Sequence, residues 1–118
     1  MKILAIGGCG SMGRYAMRSV QNYSAIEEII IADIDKKSAE VFADSLNHKV
    51  SAIQLDVNDA NALNQAMEHI DIVVNTCGPY FKFGVPILEA AISSGCNYID
   101  ICDDWEPTID MMKLDAKA

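Results

Sequence analysis

Positive charge is in short supply in this 118-residue chain: nine Lys and Arg stand against seventeen Asp and Glu, a formal net charge of -8 at pH 7. That balance excludes the basic face needed by a nucleic-acid partner and gives no attraction to an anionic membrane. Histidine is scarce too, with only His48 and His69, both in turn-like positions. The four cysteines, Cys9, Cys77, Cys96 and Cys102, form no CxxC pair and no zinc spacing, so no metal site is expected and all four read as buried free thiols. No apolar run reaches the length of a membrane span. Met1 runs directly into an apolar segment with no room for a secretory leader, which makes a cytoplasmic location the expectation. Linkers, repeats and low-complexity stretches are also missing. The chain therefore reads as one domain over residues 1–118, with 51% apolar residues to build a core but little length for a second domain.

What is present begins with Met1-Lys-Ile-Leu-Ala-Ile-Gly-Gly-Cys-Gly-Ser-Met-Gly-Arg14, an apolar strand entering a glycine cluster and then a helix. Gly8, Gly10 and Gly13 fit GxGxxG, with Cys9, Ser11 and Met12 in the variable positions. In that fingerprint the first glycine makes the tight turn, the second admits a pyrophosphate close to the backbone, and the third lets helix pack on strand. Free N–H groups at the helix start, here at Ser11 and Met12, then face the phosphates. The motif needs a βαβ unit and an acidic residue about 20 positions on. Both conditions are met. Ile3 to Ile6 is a buried-strand run, Met12 to Val20 has helical spacing, and Glu28-Ile-Ile-Ile-Ala-Asp33 is a β-branched second strand ending in a carboxylate 20 residues past Gly13. A carboxylate there accepts from both ribose hydroxyls of NAD and repels the extra phosphate of NADP, so NAD is favoured and NADP left open by nearby Lys36 and Lys37.

The alternation continues. Lys36 to Asn47 carries a helical stripe, Val50 to Leu55 reads as the third strand, and Asp59 or Asn58 can cap a helix carrying Leu63, Ala66 and Met67. Ile70 to Val74 is the fourth strand. After the loop Asn75-Thr-Cys-Gly-Pro-Tyr80, a helix is predicted over Val85 to Ser94, with Pro86 in its first turn and Gly95 closing it. Asn97 to Ile101 is strand five, and Trp105 to Lys117 begins one more helix. Such alternation predicts an α/β fold of the Rossmann type: a doubly wound parallel sheet in the order 3-2-1-4-5 with helices on both faces. Ligands bind such sheets outside the carboxyl ends of the strands, where the order reverses.

The loops at that edge supply the remaining candidates. Asp33 and Ile34 follow strand two. Asp56 and Val57, after strand three, either flank an adenine edge or begin a capping turn. After strand four, Thr76 offers a hydroxyl, Cys77 and Gly78 allow close backbone approach to a nicotinamide ribose, and Pro79 stiffens the loop. Asp103 or Asp104 is expected to cap the helix starting at Trp105, and no catalytic residue is assigned.

The segment from Asn75 to Ile101 resembles the saccharopine dehydrogenase-like oxidoreductases, whose motif runs N-x-x-G-P-Y/F, then G-x-P-V-x-x-A, then G-x-x-Y-V-D. With the glycine turn and Asp33 the likeness covers nearly the whole chain. It implies an amino-terminal nicotinamide-binding domain of a longer two-domain protein that transfers hydride at a carbon–nitrogen bond of an amino acid such as saccharopine or lysine. The second domain would bind that substrate, so the 118 residues alone should bind cofactor without turnover, and a homodimer is open for the full-length protein. Some relatives carry an arginine near the end of strand two for NADP, where this chain has Asp33-Ile34.

Three rivals share these features. Gly7, Gly10 and Gly13 satisfy the GxxGxxG of extended short-chain dehydrogenases and epimerases, but no tyrosine here is followed four residues later by the lysine those enzymes need. A methyltransferase would show an acidic or aromatic cluster after strand four, which is missing. A non-catalytic NAD(P)-sensing module would bind equally well and turn nothing over.

Overall fold

The computed structural model describes residues 1–118 as a five-stranded parallel sheet in the order β3-β2-β1-β4-β5. The strands are β1 (Lys2–Ile6), β2 (Glu28–Asp33), β3 (Val50–Gln54), β4 (Ile72–Asn75) and β5 (Asn97–Asp100). Helices α1 (Ser11–Val20), α2 (Lys36–Asp44), α3 (Ala60–Ala66), α4 (Tyr80–Ser94) and α5 (Trp105–Met112) follow them in turn, and a 3-10 turn, Asp115–Lys117, ends the chain. The predicted order and the two-faced covering are both observed.

Because side chains alternate across a strand, one face of β1 and β2 presents Ile3, Ala5, Ile29 and Ile31, and the other Leu4, Ile6 and Ala32. The first set packs with Met17 of α1 and with Ala39, Phe42 and Ala43 of α2. Across the sheet the second set packs with Leu55, Leu63, Val73, and Ile87, Ala90 and Ala91 of α4. Strands buried on both faces need near-continuous apolar runs, which is why β1 and β2 are so plainly written in the sequence.

Several boundaries differ from the sequence reading: α5 stops at Met112 rather than Lys117, β3 and β5 each end one residue early, and three others differ for a local reason. α2 stops at Asp44 rather than Asn47, because the Ser45 hydroxyl donates to the Phe42 carbonyl (2.6 Å) and Asn47 is held by Gln21 through two hydrogen bonds of 2.9 and 2.8 Å. β4 begins at Ile72, since Asp71 donates to the Lys2 carbonyl and its carboxylate accepts from the Lys2 N–H (2.6 Å). α4 starts at Tyr80, five residues before Val85, so Pro86 sits inside the helix instead of in its first turn. Pro79 is the N-cap, its carbonyl accepting from Lys82 and Phe83. The carbonyl that Pro86 cannot serve, that of exposed Lys82, is on the solvent side. Gly95 closes α4 in the left-handed region (φ 70°), as expected.

Asp59 caps α3 and Asp35 caps α2, each accepting a backbone N–H at 3.0 Å. Asp104 occupies the N-cap position of α5, but its side chain accepts no capping bond; the Thr108 hydroxyl instead donates to its carbonyl (2.7 Å). The four cysteines are free and half-buried rather than buried.

Candidate functional site

The glycine turn joins β1 to α1 at the middle of the sheet, where the strand order reverses. Its left-handed residue is Gly7 (φ 70°), one position before the glycine that the GxGxxG register assigns to the tight turn. Gly7 donates to the Ala32 carbonyl (2.9 Å), and its own carbonyl accepts from the Gly10 N–H and the Thr76 hydroxyl, both at 3.0 Å. Gly8 is buried against β1, where a Cβ would come within 2.8 Å of the Ala5 carbonyl oxygen. Gly13 meets the turn from the helix side, and a Cβ there would lie 2.6 Å from the Gly7 oxygen and 2.7 Å from Gly8 Cα. The third glycine thus serves the close packing that the motif requires.

Beyond Gly13, the start of α1 is open. Arg14 donates to the Gly10 carbonyl (2.9 Å), but the N–H groups of Ser11, Met12 and Gly13 have no acceptor within the protein, and Gly10 provides no side-chain cap. A helix end with free donors and the positive pole of its dipole is a ready anion site. Met12 also lines a different cavity, beside Tyr15 and Ile101 on the other face of the sheet.

A cavity of about 350 Å³ runs along the carboxyl ends of the strands and brings together six predicted residues: Asp33, Ile34, Asp56, Val57, Cys77 and Gly78. Gly7 lines it as well. A larger one, about 580 Å³, lies between α3 and α4 and meets the first at Val57, Asn58 and Phe83. The smaller cavity is the candidate site, because it contains the carboxylate at the end of β2 and adjoins the glycine turn. Asp33 Oδ1 accepts from the Asp35 N–H (3.2 Å), and the Cys9 thiol lies beside the same carboxylate. Burial and then the neighbouring Asp33 carboxylate push the Cys9 thiol up to about 11. Burial first, and Asp33 second, raise Cys77 too, so neither sulfur is a ready nucleophile at neutral pH.

Of the loop residues, Thr76 differs from its expected role and Asp56 takes the turn that was one of its two expected roles. The Thr76 hydroxyl is turned inward to the Ile6 and Gly7 carbonyls (3.1 and 3.0 Å), so it ties the β4 loop to the glycine turn instead of facing a ligand. Asp56 holds its own turn, Oδ1 accepting from the Asn58 N–H and Nδ2 (both 2.9 Å), while still lining the cavity. The peptide between Gly78 and Pro79 is cis, and both residues are exposed at the start of α4.

Asn75, the last residue of β4, escaped the sequence reading. It is the buried polar side chain of the core, fully enclosed. Its Nδ2 donates to the Tyr98 hydroxyl (2.9 Å), its Oδ1 accepts from the Cys77 N–H (2.9 Å), and the Tyr80 hydroxyl donates to its carbonyl (2.9 Å). Tyr98 in turn donates to Asp100 Oδ2 (2.8 Å). Burial, chiefly, and the Asp100 carboxylate that accepts its proton raise the Tyr98 phenol, against the lowering bond from Asn75. This chain of bonds fixes the Cys77-Gly78 loop to the end of β5. His48 and His69 are exposed in turns, no group of three metal-ligating side chains exists, and no helix is long and apolar enough to cross a membrane.

Residues 3–117 match the family described as the saccharopine dehydrogenase NADP binding domain. The saccharopine dehydrogenase-like oxidoreductase of Mus musculus is 30% identical over 71 residues, covering 60% of this chain and 17% of that protein. The lipid droplet localized protein of Caenorhabditis elegans is 26% identical, covering 84% of this chain and 25% of that protein. Among solved structures, apo saccharopine dehydrogenase (L-Glu forming) from Saccharomyces cerevisiae superposes with a TM-score of 0.80 at 18% identity, over 98% of this chain and 24% of that one, a likeness of fold. The chain spans a quarter or less of the length of each. The cytoplasmic expectation is overturned: one relative is named for lipid droplets, and another, from Arabidopsis thaliana (30% identical, covering 48% of this chain and 13% of that protein), is named as mitochondrial. Charge and hydropathy within one domain carry no information about the address of proteins that are several times longer.

Proposed function

The chain belongs to the saccharopine dehydrogenase NADP-binding-domain family and is a Rossmann NAD(P)-binding, dehydrogenase-like domain, and from that premise we propose how it holds its coenzyme. The pyrophosphate lies against the free N–H groups of Ser11, Met12 and Gly13, with Gly8 and Gly10 admitting it to the backbone. Asp33 accepts from the adenosine ribose hydroxyls, which favours NAD. Ile34, Asp56 and Val57 border the adenine, and Cys77, Gly78 and Pro79 border the nicotinamide ribose, with Thr76 holding that loop in place. The observation that carries this reading is an uncapped α1 start opening beside the cavity that holds the Asp33 carboxylate.

Bound there, the nicotinamide would supply hydride transfer. In the longer protein, we propose, the substrate is an amino acid oxidised or reduced at a carbon–nitrogen bond, and it is bound by residues outside these 118. Calorimetric titration with NAD, NADP and S-adenosylmethionine tests the reading. Saturable binding of a nicotinamide dinucleotide and none of S-adenosylmethionine is expected; heat from neither dinucleotide would overturn it.

Replacing Asp33 with Ser and Ile34 with Arg should move the preference toward NADP by at least tenfold, about 1.4 kcal/mol in relative affinity. An unchanged ratio of the two dissociation constants would remove Asp33 from the ribose.

A further inference from the structure

Arg14 follows the third glycine, and its guanidinium is held twice. Nε donates to the Cys9 carbonyl, and the group stacks over the Phe42 ring of α2, 4.7 Å from its centroid. Cys9 is the link to the site, its thiol beside the Asp33 carboxylate and its carbonyl on Arg14. Held in this way, an arginine would be expected to meet a carboxylate, above all in a chain with a net charge of -8. It meets none: the ion pairs of the structure involve the amino terminus, Lys2, Lys36, Lys113 and Lys117. Arg18, one turn on, lies over the same ring at 5.6 Å and is equally unpaired. Two like charges at i and i+4 repel, and an anion between α1 and α2 would relieve them.

We infer that Arg14 is a second determinant of coenzyme choice, taking the 2′-phosphate of NADP so that the chain binds both NAD and NADP. The inference rests on the coenzyme reading above. With Nε and the ring face committed, the two terminal amino groups remain, a fork whose geometry matches phosphate and whose orientation is already fixed. Asp33, beside the Cys9 thiol, repels the same phosphate. Opposed charges of equal size leave a small net preference instead of the exclusion that Asp33 alone would impose. Lys36 and Lys37 are weaker candidates, being exposed at the start of α2, with Lys36 paired to Glu40 at 3.7 Å.

Titration of the whole 118-residue chain with NAD and with NADP tests this, on wild type, Arg14→Gln, Arg14→Lys, and the double variant Lys36→Ala with Lys37→Ala. Wild type should bind the two coenzymes within about tenfold of each other. Arg14→Gln should weaken NADP by tenfold or more and leave NAD within twofold, its NAD binding showing that the site is still folded. Arg14→Lys, which keeps charge and stem but loses the fork, should fall between and serves if the Gln variant does not fold. The double lysine variant should keep the wild-type ratio. Wild type that binds NAD but not NADP, or a ratio that is unmoved by Arg14 and moved by the lysines, overturns the inference and leaves the coenzyme reading standing; wild type that binds neither overturns both.

Discussion

A Gly13→Ala chain should melt about 8 °C below wild type and bind no dinucleotide. The expectation comes from two opposed terms. Ala is favoured over Gly within a helix by about 1 kcal/mol, so propensity alone predicts stabilisation. Against this stands a Cβ placed 2.6 Å from the Gly7 carbonyl oxygen and 2.7 Å from Gly8 Cα. Both obstacles are backbone, in a turn held by Ala32 and Thr76, so no side chain can swing aside. Overpacking of this sort costs about 3 kcal/mol, the upper end of its usual range. The difference, about 2 kcal/mol, corresponds to about 4 °C per kcal/mol at this chain length. Relief requires α1 to back away from β1, which pulls the free N–H groups of Ser11 and Met12 off the site. Gly10→Ala is the control: its added Cβ meets only the Gly7 oxygen, at 3.2 Å. Differential scanning calorimetry that places Gly13→Ala at or above wild type would show that the turn is softer than its bonds imply.

Removal of the Asn75 side chain is expected to cost still more, about 3 kcal/mol in urea denaturation for Asn75→Ala. The loss is not one hydrogen bond, since a typical pair contributes only about 1 kcal/mol net. It is two buried groups left without partners, the Cys77 N–H and the Tyr98 hydroxyl on its accepting side, each at about 1–3 kcal/mol, together with a cavity. Tyr98→Phe separates these contributions. It strands Asn75 Nδ2 alone, while Asp100 can turn to water, so a cost of about 1–2 kcal/mol is expected. Equal losses for the two variants would mean that Asn75 acts only through Tyr98 and that the Cys77 loop stands without it.

These two residues also mark where sequence reading stops. β2 was legible to the residue, because Glu28-Ile-Ile-Ile-Ala-Asp33 is an unbroken apolar run, mostly β-branched, bounded by charge, and its carboxylate fell where the motif puts one. Asn75 was not legible, since a polar residue at the end of a strand looks like the first residue of a loop. Only its partners Tyr98 and Cys77 show it to be interior. The first five residues of α4 were missed because Tyr80, Phe81, Phe83 and Gly84 are weak helix formers; the buried stripe Tyr80, Gly84, Ile87 and Ala91 decides the matter through packing. Thr76 was found and given the wrong direction, since a sequence names a hydroxyl but does not aim it. The same holds for the glycine cluster, which admits two registers on paper. Ala32 and Thr76, distant in the chain, choose Gly7 as the left-handed position. Arg14 adjoins the motif in plain view, yet its meaning depends on a ring in α2.

The placement of β1 at the centre of the sheet bears on the order in which the protein can assemble. Gly7 donates a bond to β2 and accepts another from the loop after β4, so the glycine turn waits for residue 76 although its own residues emerge first. Contacts so far apart in sequence form slowly, after the loops between them have closed. During synthesis the earliest segment must remain unfinished until most of the domain exists. The glycine turn is therefore a late product of folding, completed by segments that follow it in the chain.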